Sequence, residues 1–397
     1  MNFVLFDDKR YSHFLPLTHS RPISELRCGI LTMREKWEFV VGLKPYYFTQ
    51  KHLQEKFPFE LSENNIFINS ALFPDKQLFE AIIQLKKNSC LIANNILLAA
   101  RLEQSIASKF QVETIPQDCT LIEYDKEVMQ LNHLWDIFSF NDKALRQDYE
   151  RITNGRESQS LSHTNTLIGH QIFIEEGAYV EGAIINSNTG PVYIGRNAEV
   201  MEGCVIRGPF AMGEHAVLKM GAKIYGATTL GPGCKVGGEV NNSVMIANSN
   251  KAHDGFLGNS VIGEWCNLGA DSNNSNLKNN YEEVKLWSES QKSFVKTGLQ
   301  FCGLIMGDHS KCGINTMFNT GTVVGFSCNI FGAGFPRNFI PSYSWGSASG
   351  MAEYQLKKAI DTARRVFARR KIEFDNIEER LFQYIFDASA EQRNYMN

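Results

Sequence analysis

From Ile194 an aliphatic residue returns every six positions: Ile194, Val200, Ile206, Met212, Leu218, Ile224, Leu230 and Val236. That period fits neither a helix of 3.6 residues per turn nor a flat strand of period two. It fits a β-solenoid, where a short strand and a turn make one side of a coil and stacked coils bury one another's faces. Glycine follows the aliphatic at Gly195, Gly213, Gly231 and Gly237. Four positions after each aliphatic stands a second, mostly small residue: Ala198, Cys204, Phe210, Ala216, Ala222, Thr228, Cys234 and Val240. The same register is visible at Ile168, Ile174 and Val180, returns at Phe256, Ile262 and Leu268, and runs again from Met306 through Cys312, Phe318 and Val324 to Ile330. The aliphatics are expected on the coil axis, with the small residues beside them. Cys204, Cys234, Cys266 and Cys328 fall on the small inward position and Cys312 on the axial one, so they read as small buried hydrophobes. No metal-ligand spacing is found among them, and no metal is expected there.

The repeat divides a chain of 397 residues into three parts. Residues 1–155 read as an α/β domain, 156–346 as a β-helix and 347–397 as a helical extension. In the first part, 2–6 reads as a strand and 78–87 and 96–110 as helices. In the last, 351–371 and 376–390 have helical spacing. Its cluster of Lys357, Lys358, Arg364, Arg365, Arg369, Arg370 and Lys371 reads as a solvated face or a subunit contact, with an anionic partner as the alternative. Segments 271–280 and 282–300 break the hexad and are expected as loops thrown out of the coil, where function is commonly placed. Lys and Arg total 40 against 43 Asp and Glu, which gives no reason to expect nucleic acid. Hydrophobic residues at 43% exclude wholesale disorder. There is no apolar run of about 18 residues and no signal-like start, so no membrane insertion is expected and the compartment read is the cytoplasm.

The hexad resembles that of left-handed parallel β-helix acyltransferases, which implies a homotrimer with active sites between subunits. A sharper likeness lies in Lys251-Ala-His253-Asp-Gly-Phe256-Leu-Gly258, then Val261-Ile-Gly-Glu-Trp-Cys-Asn267-Leu-Gly-Ala270, then Asn276. This is similar to the acetyltransferase domain of the bifunctional family that acetylates glucosamine 1-phosphate and uridylylates the product. The resemblance implies that His253 is the general base and that Asn267 and Asn276 orient the amino sugar and the acetyl carbonyl. It implies sugar contacts from Asn241, Lys251 and Phe256, and acetyl-CoA as donor along the coils from Met306 to Gly332. A histidine suits the task on chemical grounds, since it titrates near neutral pH and can take the amine's proton. The family's Tyr is Phe256 here, and its Lys after Glu is Asn241. A trihistidine metal site of the carbonic anhydrase type is set aside, because the nine His include no pair at its spacing.

The N-terminal part carries Arg21-Pro-x-x-x-Leu-Arg27-Cys-Gly29-Ile-Leu-Thr32-Met-Arg34-Glu-Lys36-Trp37. With Trp135-Asp-Ile-Phe and the late run from Phe339 to Gly346, it resembles a shortened bacterial variant of the same bifunctional family over nearly the full length. Sugar nucleotidyltransferases hold nucleotide phosphates on a Gly-rich loop with Arg and Lys, and Mg²⁺ on an Asp. The resemblance implies phosphate contacts from Arg21, Arg27, Gly29, Thr32, Arg34 and Lys36, UTP or dTTP as co-substrate, and Mg²⁺ if that half is active. Asn69 stands where the Asp would be. Three readings follow. The first is an N-acetyltransferase of an amino-sugar phosphate, glucosamine 1-phosphate, with nucleotidyl transfer to UDP-N-acetylglucosamine added if the N-terminal half is active. The second is a sugar-1-phosphate nucleotidyltransferase whose β-helix only trimerises it. The third is a non-catalytic sugar-nucleotide-binding protein.

Overall fold

The computed structural model describes residues 1–111 and 119–396. It divides into two compact units, one made of residues 1–14, 20–26 and 31–133, the other of 15–19, 27–30 and everything from Leu134 onward.

The first unit is a mixed sheet of β1 (Asn2–Phe6), β2 (Tyr46–Phe48), β3 (Asn64–Asn69), β4 (Ser89–Ala93), β5 (Ile96–Glu103) and β6 (Thr120–Glu123), in the order β2-β1-β3-β5-β4-β6. β1 runs parallel to both neighbours, with Val4 opposite Tyr46 and Phe67. Alternation along β1 sends Phe3 and Leu5 to one face and Val4 and Phe6 to the other. Trp37 of α1 (Met33–Val41) and Leu78 and Ile82 of α2 (Lys76–Ile83) cover the first face. Both faces are therefore dry, and the strands read as continuous apolar runs. That explains why 96–110, expected as a helix, is mostly β5, followed only by the short α3 (Gln104–Ala107). Leu98 and Ala99 join one core and Leu97, Ala100 and Leu102 the other, a two-sided pattern that imitates helical spacing.

The second unit opens with α4 (Asp136–Ser139) and α5 (Asn141–Thr153) and continues as the expected β-helix. Three parallel sheets form its sides. On the first, Ile206 pairs with Ile224; on the second, Ile194 with Met212; on the third, Val200 with Leu218. Each partner lies 18 residues on, three hexads per coil. The eight aliphatics from Ile194 to Val236 share one core with Ala198, Cys204, Ala216, Ala222 and Cys234. Burial pushes the thiols of Cys234 and Cys328 up to about 12, in keeping with inert packing roles.

The register then slips. Ile224 pairs with Val240 and Leu230 with Met245, 16 and 15 residues on. Leu257 consequently takes the axial place expected of Phe256, which is half-buried. Lys251, opposite Val236, and Asn274, opposite Phe318, occupy positions that are apolar in the other coils. Ile168 is another departure: it lies at the open first coil and is exposed. The Asn-rich stretch is still in the coil where Asn273–Asn274 pairs with Met317–Phe318. Further on, the chain leaves as an antiparallel hairpin of Lys285–Ser288 with Ser293–Lys296, as the broken hexad predicts.

A second hairpin, Ser344–Ser347 with Gly350–Glu353, closes the third sheet, so the helix expected from 351 starts only at α6 (Leu356–Arg369). Ala359, Ile360, Ala363 and Phe367 are its buried face. Phe367 stacks on Trp265 with ring centroids 4.3 Å apart. In α7 (Asn376–Ala388), Phe382 meets Phe326 at 5.0 Å, and its carbonyl accepts from Tyr343 Oη at 2.7 Å. Among the described residues no helix is long and apolar enough to cross a membrane.

Candidate active site

The slipped coils carry the residues singled out by the sequence. The turn from the third sheet to the first is two residues long at Gly237-Gly238, but in the next coil it runs through Ala252, His253, Asp254 and Gly255. The longer corner lies directly on the shorter one. A Cβ on Gly238, whose φ is +71°, would stand 2.9 Å from Asp254 Cα and 3.0 Å from the His253 carbonyl oxygen. Only glycine leaves room for that stacking. The ring of His253 is exposed at this corner. Beneath it, Lys251 turns inward: its Nζ donates to the carbonyls of Gly237 at 3.0 Å and His253 at 2.8 Å. Burial pulls the Lys251 amine down to about 8. Lys251 is thus 1% exposed and anchors the corner from inside rather than standing on the surface beside His253.

On the first-sheet side of the corner, Asn241, Phe256 and Asn276 gather around Gly258. Asn241 is register partner to Gly258. A Cβ on Gly258 would lie 2.5 Å from Phe256 Cζ and 2.7 Å from Asn276 Nδ2, so the glycine is what lets the ring and the carboxamide meet. Asn276 Nδ2 donates to Asn259 Oδ1 at 2.8 Å, and the Phe256 amide donates to Asn273 Oδ1 at 2.7 Å. On the third-sheet side, Asn267 is exposed and its Oδ1 accepts from Asn250 Nδ2 at 3.4 Å. The structure thus brings Asn241, Phe256 and Asn276 to one face, puts Asn267 on the adjacent face and leaves His253 at the edge between them.

The N-terminal candidates are divided between the units. Gly29 and Arg27 belong to the second. The Gly29 amide donates to Asn141 Oδ1 at 2.7 Å, and Arg27 donates to the carbonyls of Ile30 and Ile246. Arg21, Thr32, Arg34 and Lys36 belong to the first. Thr32 caps α1: its hydroxyl accepts from the Glu35 amide while the Glu35 carboxylate accepts from the Thr32 amide at 2.7 Å. Arg34 is paired with Glu25 at 2.6 Å and with Glu38, and it lines a cavity of about 530 Å³ with Lys44, Tyr47 and Lys56. Arg21 and Lys36 are buried, Lys36 with its Nζ 5.8 Å from the Phe73 ring centre.

A cluster the sequence reading passed over sits at the carboxyl ends of β1 and β3, where open α/β sheets place ligands. Asp8 accepts from Arg10 Nη2 at 2.6 Å and from Asn69 Nδ2 at 2.9 Å. Arg10 also donates to Gln130 Oε1 at 2.7 Å. Asp7 accepts from Thr49 Oγ1 at 2.6 Å and from the Ile23 amide at 3.1 Å, and burial raises its carboxyl to about 7. For Asp8, burial is outweighed by Arg10, and the carboxyl is held below its usual range. The available signal was the Asp7-Asp8 pair directly after a strand.

Residues 3–157 match the family model of sugar nucleotidyl transferases. The bifunctional protein GlmU of Methanocaldococcus jannaschii is 34% identical over 90 residues, 23% of this chain and 21% of that protein. A bifunctional sugar-1-phosphate nucleotidylyltransferase/acetyltransferase of Sulfurisphaera tokodaii is 26% identical over 312 residues, 77% of this chain and 69% of that one. The crystal structure of an Arabidopsis UDP-N-acetylglucosamine acyltransferase superposes on 58% of this chain and 91% of its own at 13% identity, with a TM-score of 0.24. The chain therefore spans about a fifth of the first of these curated relatives and about two thirds of the second.

Nucleotidyl transfer calls for Mg²⁺, which takes oxygen ligands and holds one or two carboxylates besides the substrate phosphates. In the N-terminal α/β domain Asp8 is already neutralised by Arg10, and Asp7 is buried among neutral donors. The residues present do not fit a protein-held Mg²⁺ centre.

Proposed function

We propose that this chain is a cytoplasmic, homotrimeric N-acetyltransferase that moves the acetyl group of acetyl-CoA to the amine of an amino-sugar phosphate, glucosamine 1-phosphate. The observation that carries the reading is the His253 corner, exposed, propped from inside by Lys251 and flanked by Asn267 on one face and by Phe256 and Asn276 on the other. In this reading the neutral His253 imidazole accepts a proton from the sugar amine as the nitrogen attacks the thioester carbonyl. The carboxamides of Asn267 and Asn276 hydrogen-bond the sugar and the developing oxyanion, and the C–S bond breaks to release CoA. A histidine exposed at the corner of one chain suits a site completed by a second subunit. His253→Ala is expected to cut CoA release from acetyl-CoA plus glucosamine 1-phosphate by about a hundredfold or more while leaving the oligomer unchanged. Unchanged turnover would remove His253 from the mechanism.

A second reading is favoured by the sugar nucleotidyl transferase match over residues 3–157: transfer of a uridylyl or thymidylyl group from UTP or dTTP to a sugar 1-phosphate. Pyrophosphate release with Mg²⁺ supplied is its measure, and a double assay of CoA and pyrophosphate separates one active half from two. Sugar-nucleotide binding without either release would leave the non-catalytic reading.

A further inference from the structure

A cavity of about 490 Å³ opens between α6 and the third sheet of the β-helix. Its polar lining includes Lys235, Lys311, Arg369, Arg370, Asn248 and Asn267, and no carboxylate lines it. Four cations around one cavity are an unfavourable arrangement unless something anionic enters. Lys235 registers it: burial first, then Arg370, Lys219 and Arg369, pull its pKa below the ordinary lysine value. The walls are fixed before any ligand arrives. Phe367 is stacked on Trp265, and Arg370 is held by the Gly233 carbonyl at 2.8 Å and Asn250 Oδ1 at 3.3 Å. Lys311 Nζ donates to the His309 carbonyl at 2.7 Å. Elsewhere on the same helix the pattern differs: Arg364 is paired with Glu379 at 2.6 Å and Asp361 at 3.9 Å. Among the described residues no carboxylate stands within ion-pair distance of Lys235 or Arg369. Ala252 also lines the cavity, so one end of it lies a single residue from His253.

We infer that this cavity is a phosphate-binding site, taking the phosphate groups of a substrate that reaches the His253 corner. A volume near 490 Å³ is in the range of small-molecule sites and admits a diphosphate or a phosphorylated sugar. The phosphate can come from CoA or from the amino sugar; that choice of candidates rests on the acetyl-transfer reading, whereas the anion site itself does not.

The test is calorimetric titration of the full-length protein at low salt with pyrophosphate, CoA and glucosamine 1-phosphate as separate probes. The wild type is expected to bind pyrophosphate, and K235A and R369A each to weaken it about tenfold, the size expected of one lost charge-assisted hydrogen bond. R364A, on the exposed flank of α6, is the control and stays within about twofold. Competition by CoA assigns the site to the donor, and competition by glucosamine 1-phosphate assigns it to the acceptor; either supports the inference. Absence of binding by all three probes, or binding in R369A and K235A equal to wild type, overturns it. R369Q and a thermal melt show whether a loss reflects folding. H253A keeps pyrophosphate binding under this inference. Pyrophosphate binding lost in K235A and R369A without acetyl transfer would therefore sink the proposed activity alone, and acetyl transfer with pyrophosphate binding absent or unchanged in K235A and R369A would sink this inference alone.

Discussion

Methionine in place of Lys251 tests whether a charged amine really lies on the solenoid axis. The side chain is 1% exposed and its Nζ donates to the Gly237 and His253 carbonyls. Burial lowers its pKa from 10.5 to about 8, against the opposing pull of Asp254 and Asp271. A shift of that size costs the folded, protonated state about 3 kcal/mol. Lys251→Met removes the cost but also two charge-assisted hydrogen bonds worth about 1.5–3 kcal/mol each. The opposing contributions nearly offset, and at pH 7 the change in stability is expected to stay within about 3 kcal/mol in either direction. The pH dependence is sharper. Between pH 8 and 10.5 the unfolded chain holds a proton that the folded chain has released, so this lysine makes the wild type more stable as pH rises. Below pH 8 its contribution is flat. Relative to wild type, the variant should therefore lose about 3 kcal/mol between pH 8 and 10.5. Urea unfolding of both proteins at pH 7, 8, 9 and 10 reads this directly. The same variant should lower kcat for acetyl transfer, because the His253 carbonyl loses its anchor. A stability difference that does not change with pH would mean the amine is hydrated, and the account of the corner would fall with it.

Asp7 gives a trend of opposite sign. Its carboxyl is raised to about 7, so between roughly pH 4 and 7 the folded chain binds a proton that the unfolded chain lacks, and stability falls as pH rises. Asp7→Asn should melt like wild type near pH 4 and gain a few kcal/mol by pH 8; equal melting temperatures at pH 8 would contradict it. Gly258→Ala should push the Phe256 ring and Asn276 apart and raise KM for the amino sugar at least several-fold, with a modest loss of stability. Unaltered kinetics would show that the contact over Gly258 does not shape the site. Cys204, Cys234 and Cys328 should resist a thiol reagent in the native protein and react on unfolding; rapid native labelling of any of the three would contradict their burial.

The coil was legible because its axial positions each demand one residue type, and a demand repeated every six residues survives in a single sequence. Ile194 through Val236 all reached the core. What followed was less legible for a physical reason. A corner shortened to Gly237-Gly238 leaves the hexad intact locally but moves its phase, so Phe256 was placed on the axis that Leu257 occupies. The direction of Lys251 was hidden in the same way, since a lysine in a polar stretch carries no mark that it points inward. In the N-terminal domain, burial on both faces erased the period that separates strand from helix at 96–103. Thr32 and Arg34, read as phosphate contacts, show how one residue type serves two ends: capping a helix and pairing with Glu25 use the same donors and acceptors that would hold a phosphate.

The slip, the polar axis and the candidate site occur together, and one cause connects them. Up to Val236 each coil is an apolar layer that stabilises its neighbours in proportion to the area it buries. Shortening the corner at Gly237-Gly238 shifts the phase, and the next coil returns to the four-residue corner of the regular coils, which stacks the His253 turn on the glycine pair. An aliphatic side chain at 251 could fill the axis there but could not tie the His253 turn to the body of the coil; a lysine can do both, with its stem in the core and its amine on two carbonyls. The coil thereby gives up apolar burial at the His253 turn, whose backbone carbonyl the lysine holds. Stability is given up at a site only when something else over-determines its geometry. Here that is the regular coils below and, on the third-sheet side, α6 packed on Trp265. The helical extension, which lies outside the repeat, therefore belongs to the same functional unit as the coil it covers: it fixes one wall of the cationic cavity that begins at Ala252.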